Sequence, residues 1–320
     1  MGRYVVKRVL LSIVTLWLLA TIVFLMTWAL PSDSARLILG AQAPEASVAA
    51  FRQKVGLDDS VFAQYGRLMK GLVTFNFGHS WKYQTKEVFG YLRGPLGKTA
   101  KLAAVAMIIT APISIAAGLI AAKFRDRKLD RGIVLVGLAA SSIPEFVTGA
   151  LLAVGLGLKL ELFEPVYSTK AETLSLIGQL RYLMLPALAL ALAYFGYIAR
   201  MMRAGTIRAL DSDYVRTASM KGLSSSQVMR RHVLRNAAAP TITVMSVQIG
   251  YLVSGIIGVE LVFNYPGFSR VLLDAAIDGD LPVLQVAVLI SALIYMIATL
   301  AADVLIAWLN PRARLDLSAS

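Results

Sequence analysis

Charge-free apolar stretches recur six times along the 320 residues, over 9–30, 102–122, 132–158, 182–199, 237–259 and 281–302, the third interrupted only by Glu145. A helix rises about 1.5 Å per residue, so roughly 20 apolar residues cross about 30 Å of hydrocarbon. Each stretch therefore predicts a membrane-spanning helix. Lys7 and Arg8 precede the first one, but its apolar run is longer than a signal-peptide core and no small-x-small site follows before Pro31, so a retained anchor is expected. Between the first two spans, VAAFRQKVGL and VFAQYGRLMKGLV repeat apolar residues at helical spacing and predict short amphipathic helices on the outer surface. FNFGHS reads as a turn. The expected organisation is an all-α integral membrane protein with six transmembrane helices: an anchor (1–30), an extracytoplasmic segment (31–101), a five-helix core (102–310) enclosing a cytoplasmic loop (200–236), and a cytoplasmic tail (311–320).

Composition agrees: 57% of residues are hydrophobic and 16% charged, with a mean hydropathy of +0.67. An ordinary soluble domain carries about 45–50% apolar and about 25% charged residues, so a cytosolic enzyme is excluded. The net charge of +13 invites a nucleic-acid reading until the charges are placed. With the N-terminus inside, the cytoplasmic segments hold 18 Lys and Arg against five Asp, and the remaining 14 basic and 14 acidic residues cancel. The whole excess is then cytoplasmic, which predicts an N-in, C-in topology, contact with lipid and no nucleic-acid partner.

Candidate chemistry is sparse. Cysteine is absent, and the two histidines, His79 and His232, stand far apart, so thiol chemistry is excluded and no metal centre is expected. No Ser/His/Asp set, HExxH, paired aspartates or phosphate-cradling glycine loop lies in the spans, so no catalytic residue is assigned. Inside, RMMRAGTIRALDSDYVRTASMKGLSSSQVMRRHVLRNAAAP carries eight basic and two acidic residues. Val215, Ala218 and Ser219 share a helix face, Asp211 or Asp213 is placed to cap that helix, and Gly222 to stop it. Ser224 to Ser226 are placed to cap a second helix, 227–236, that enters the membrane at Pro240. Two readings stay open for this helix, glycine turn, helix unit: a re-entry hairpin whose arginines meet anionic lipid, or a rigid surface that receives a push from a soluble partner.

DYVRTASMKGLSSSQVMRRHVLRNAAAP resembles the signature cytoplasmic loop of ATP-binding-cassette importer permeases of the dipeptide, oligopeptide and nickel group. MGRYVVKRVLLSIVTLWLLATIVFLM, GLDDSVFAQYGRLMKGLV, NFGHS, SSIPEF, VELVFNYPGFSRVLLDAAIDGDLPVLQ and DVLIAWLNPRAR resemble that group in the same order over essentially the whole chain. The long outer segment resembles the first of its two permease subunits, the DppB or OppB type, with the type I importer fold. The resemblance implies a multi-pass protein of the bacterial cytoplasmic membrane, partnered by a paralogous permease, two ATPase subunits and an extracytoplasmic substrate-binding protein. ATP and Mg would be bound by the ATPases, and no cofactor by this chain. Its coupling helix would comprise Tyr214, Val215, Arg216, Thr217, Ala218, Ser219, Met220, Lys221, Gly222 and Leu223, with Ala218 and Gly222 permitting close approach to an ATPase and Arg216 and Lys221 pairing with its acids. Di- and oligopeptides are the expected cargo; nickel, glutathione or another small solute is the alternative, and a secondary transporter the rival class.

Intramembrane polar residues are costly and often functional. Ser141, Ser142, Pro144, Glu145, Gln248 and Glu260 are the candidates for a translocation path or gate. Glu145 either meets a peptide's ammonium group or is a carboxylate at a helix end, with Ser141 or Ser142 satisfying backbone freed by Pro144. Glu260 is expected to gate or to pair with Arg270, and Asp303 to pair with an arginine. Gly250, Ser254 and Gly258 recur every four residues and predict close helix packing, either within this subunit or against the second permease.

Overall fold

The computed structural model describes residues 2–29, 33–254 and 256–309; the tail expected at 311–320 lies outside them. Helix α1 (Gly2–Trp28) is followed by three short helices, α2 (Ser34–Leu39), α3 (Glu45–Val55) and α4 (Val61–Thr74). Next come α5 (Val88–Lys123), α6 (Lys128–Ser142) and α7 (Glu145–Leu152), the last running on as a π-helical turn to Lys159. Helix α8 (Leu176–Leu210) leads to α9 (Asp213–Met220) and α10 (Ser225–Val228), which continues through a π turn (Met229–Val233) into α11 (Leu234–Ser254). Helices α12 (Ile257–Val262), α13 (Phe268–Asp278) and α14 (Leu281–Leu309) complete the described chain.

The six expected spans are realised unequally. Helices α1, α5, α8 and α14 are each long and apolar enough to cross a membrane; α6 and the stretch Glu145–Lys159 are so only taken together, as a broken span or a re-entrant loop bent by 96° at Ile143–Pro144. The bend follows from Pro144, which disfavours the helical conformation at the residue before it. The sixth, α11, has 21 residues, carries Thr241, Thr243, Ser246 and Gln248, and is not one of these four helices. It also stops at Ser254, before the expected 259. Helix α5 starts at Val88, inside the segment assigned as extracytoplasmic, and its 36 residues make a rod of about 54 Å. The 35-residue α8 likewise outruns the hydrocarbon, so both project beyond it.

Helices α5 and α8 form the most extensive pairing, around a core of Leu102, Ala106, Leu183, Leu190, Leu252, Phe263 and Tyr265. Helix α6 reaches α8 where Gly137 meets Gly196: a Cβ on Gly196 would overlap the Gly137 carbonyl. At the ends of these helices Arg203 grips Asp130 through two bonds of 2.5 and 2.6 Å, and Arg125 reaches Asp211 at 3.1 Å. Helix α1 lies against α14, with Arg8 to Asp303 at 3.2 Å near one end and Gln285 to Thr27 at 2.7 Å near the other. Asp303 thus pairs with an arginine as expected.

Candidate functional site

The loop between α8 and α11 folds as a tight helical hairpin. Ser212 has the extended backbone of an N-cap (φ −82°, ψ 151°), whereas Asp211 is helical and closes α8. Neither expected aspartate caps α9; Asp213 stands in its first turn, where a carboxylate complements the dipole. Gly222 ends α9 with φ +80°, donating to the Ser219 carbonyl at 3.0 Å, a left-handed residue in the place glycine favours. Ser224 and Gln227 then form a reciprocal capping box that starts α10. The second helix enters α11 without a break, as the sequence predicts, but through one π turn.

Underneath, Val215 and Ala218 are buried against Ala209, Val228 and Val233, with Leu210, Leu223 and Met229 alongside. Ser219, expected on this face, is exposed. Ala218 packs against the chain's own α8, α10 and π turn. This apolar patch fixes α9 to the end of α8, to α10 and to the π turn that leads into α11. Its other face presents Tyr214, Arg216, Thr217, Ser219, Met220 and Lys221, all exposed, with Met220 at 80%. Gly222 is also open, with nothing within 4 Å of the position a Cβ would take.

At the α6–α7 bend, Ser141 Oγ and Ser142 Oγ donate to the carbonyls of Gly137 and Leu138, each at 2.8 Å. Both hydroxyls thus serve the last turn of α6, and Pro144 caps α7 with Glu145 in its first turn. Glu145 is half-buried, and Gln248 is buried on α11. Glu260 is fully buried on α12. Thr99 Oγ1 donates to its Oε1 at 2.6 Å and the Arg270 amide to its Oε2 at 2.8 Å. The expected pairing with Arg270 is therefore made by the backbone, because Glu260 caps the N-terminus of α13; the guanidinium turns to Asn264 at 2.7 Å.

The chain matches known families along most of its length. Residues 114–315 match the model described as "Binding-protein-dependent transport system inner membrane component", and residues 1–91 match its N-terminal companion. The glutathione transport system permease protein GsiC of Escherichia coli strain K12 is 35% identical over 316 residues, covering 98% of this chain and 99% of that protein. GsiC of Shigella dysenteriae serotype 1 and of Shigella flexneri serotype 5b align to the same extent. A solved amino acid ABC transporter aligns over 69% of this chain and 93% of its own, at 17% identity and a TM-score of 0.46. The chain belongs to the family of inner-membrane components of binding-protein-dependent transport systems. It is a multi-pass inner-membrane permease of the ATP-binding-cassette importer class.

Within this permease the small-residue series divides. Gly250 faces the Tyr295 ring of α14, and Gly258 faces Phe146. Both close approaches are inside the subunit, and since α11 ends at Ser254, Gly258 stands on a separate helix, off the continuous face the spacing suggested. The permease also uses residues that the sequence reading passed over. Asp130, Arg203, Thr99 and Asp280 are polar anchors whose partners lie far along the chain, at separations such as 73 residues for Asp130 and Arg203 and 161 for Thr99 and Glu260. Only Asp280 carried a local signal, an aspartate just before a helix.

Proposed function

We propose that this permease lines the membrane path of an ATP-driven importer of small peptides, glutathione-like tripeptides among them, and that α9 is its point of coupling to an ATPase subunit. A binding protein delivers cargo from outside, a second, paralogous permease completes the path, and two ATPase subunits hold ATP and Mg. This chain contributes no catalytic group. The observation that carries the reading is α9 itself: an eight-residue helix fixed from below by an apolar patch and uncovered on the face that bears Tyr214, Arg216, Met220 and Lys221. A rigid short helix at the junction of two long ones transmits a displacement to both, and Arg216 and Lys221 complement an acidic cleft.

The N-in, C-in orientation follows the same residues. Arg125–Asp211 and Arg203–Asp130 draw the basic 123–131 loop to the hairpin, and clustered basic residues mark the cytoplasmic side. Relatives that carry glutathione favour a peptide-sized cargo, and no residue on the path candidates selects among peptides.

Gly222 provides the test. Because nothing lies within 4 Å of the position a Cβ would take, a side chain can leave the backbone there without a clash, and the left-handed backbone adds about 1–2 kcal/mol of local cost. Gly222→Trp in the assembled complex should leave assembly yield and ATP hydrolysis near normal while uptake of labelled glutathione or dipeptide falls at least tenfold. Gly222→Asn, which tolerates the left-handed region, should retain uptake. Full uptake by the Trp variant would overturn the assignment of α9.

A further inference from the structure

Asp280 stands directly before α14, and the Leu284 amide donates to its carbonyl at 2.9 Å, the backbone arrangement of an N-cap. An aspartate there ordinarily turns its side chain onto its own helix. This one turns outward, to a segment 200 residues earlier. Ser80 Oγ donates to Oδ2, the Trp81 amide to Oδ1 at 3.0 Å, and the Lys82 amide to Oδ2 at 3.4 Å. Asp280 and Ser80 are 3% and 1% exposed, so the bonds are shielded from water and their loss leaves donors without partners. Beside them Lys82 Nζ meets Asp278 at 2.6 Å, and Gly279 packs against Ser34 and Leu37 of α2. The outer segment is thereby tied at one buried carboxylate to the turn between α13 and α14. From that turn α14 runs inward along α11, with Tyr295 seated on Gly250, and α11 grows without interruption from the α9–α10 hairpin.

We propose that Asp280 is a positioning residue that makes the outer segment (33–87) and the head of α14 one body, so that docking of a loaded binding protein on that segment is relayed through α14 and α11 to α9. The relay rests on the function proposed above. Its elements are two long helices in direct contact, with Asp280 as the buried carboxylate that residues 80–82 share with the α13–α14 turn and the Lys82–Asp278 pair beside it. Removing the clamp loosens residues 80–82 from the head of α14, while α4 stays packed on α1 and α14 through Leu68, Phe24 and Leu289, and leaves the segment's exposed surface and α9 untouched.

The experiment uses the complete complex in proteoliposomes, with ATPase activity measured alone and with the cognate binding protein loaded with glutathione or a dipeptide. In Asp280→Ala, stimulation by the binding protein should fall at least tenfold, while basal hydrolysis stays within twofold and binding-protein Kd within threefold. The chain has no cysteine, so Lys82→Cys and Asp278→Cys, joined by a short cleavable thiol bridge in the Asp280→Ala background, should restore stimulation to within threefold of wild type, and a reductant should abolish it again. If Asp280→Ala fails to assemble, Ser80→Ala with Lys82→Ala removes one donor and the neighbouring ion pair, and should lower stimulation at least threefold. Unchanged stimulation, a parallel loss of basal activity, a tenfold loss of binding-protein affinity, or a bridge that restores nothing would each overturn the relay. A wild-type complex that no loaded binding protein stimulates would overturn the proposed function itself.

Discussion

At the scale of single residues, Glu260 shows how a carboxylate that looks chemical from its neighbours is used to build. Its oxygens hold Thr99 and the first amides of α13, and a Cβ on Gly267 would fall within contact distance of both Glu260 Oε1 and Thr99 Oγ1. Gly267→Ala should therefore destabilise by overpacking, about 1–3 kcal/mol. Glu260→Ala should cost about 1–3 kcal/mol for each donor left unpaired. Because both act on one network, the double variant should lose less than the two losses taken together, which thermal unfolding in detergent would measure. The sequence marked Glu260 and Arg270 as neighbours in function, but whether Arg270 offers its guanidinium or its amide depends on where α13 begins, which periodicity does not resolve. In the outer segment, partial burial pushes the Asp33 carboxyl up, but the Arg52 guanidinium at 2.8 Å and the amides of α2 outweigh it and hold the group below its ordinary value of 3.8. A lowered folded value gives stability that is present above the unfolded range and is lost as pH falls through and below it. The protection of the α2 and α3 amides relative to the unfolded chain at the same pH should fall as pH drops below about 4, and Asp33→Asn should remove that dependence.

At the scale of elements, the cytoplasmic hairpin was largely legible. Gly222, the serine cap and the capping-box glutamine are local signals, and the structure uses each of them. The cap of α9 was misassigned because Ser212 lies between two aspartates that are equally suitable by composition, and only backbone conformation separates them. The starts and stops of long helices were less legible: α5 absorbs Arg93, Lys98 and Lys101 at its outer end, where projection beyond the hydrocarbon relieves the cost of charge, and the break after α11 has no proline to announce it. The exposed face of α9 makes its own prediction. Met220→Cys should react with a membrane-impermeant maleimide in inside-out vesicles, and ATPase subunits should slow that reaction at least fivefold in the assembled complex. Phe62→Cys on α4, 87% exposed, should react only in right-side-out vesicles.

At the scale of the whole molecule, the apolar runs located every long helix, since length and hydropathy act independently of packing. They did not foresee the 96° bend, which arises where one short motif, SSIPEF, interrupts an otherwise apolar run. The net charge of +13, distributed mostly beside the hairpin and the 123–131 loop, marks the end of the molecule that meets the ATPases in this account. The central claim is that transport through this permease is driven from α9 and supplied from the opposite face. The measurement that addresses it is uptake of labelled glutathione and dipeptides into proteoliposomes holding the purified complex, with ATP sealed inside on the α9 side. Accumulation that requires both internal ATP and external binding protein, and that collapses with Gly222→Trp, is the predicted result. Accumulation that proceeds without the ATPases or without the binding protein would contradict it.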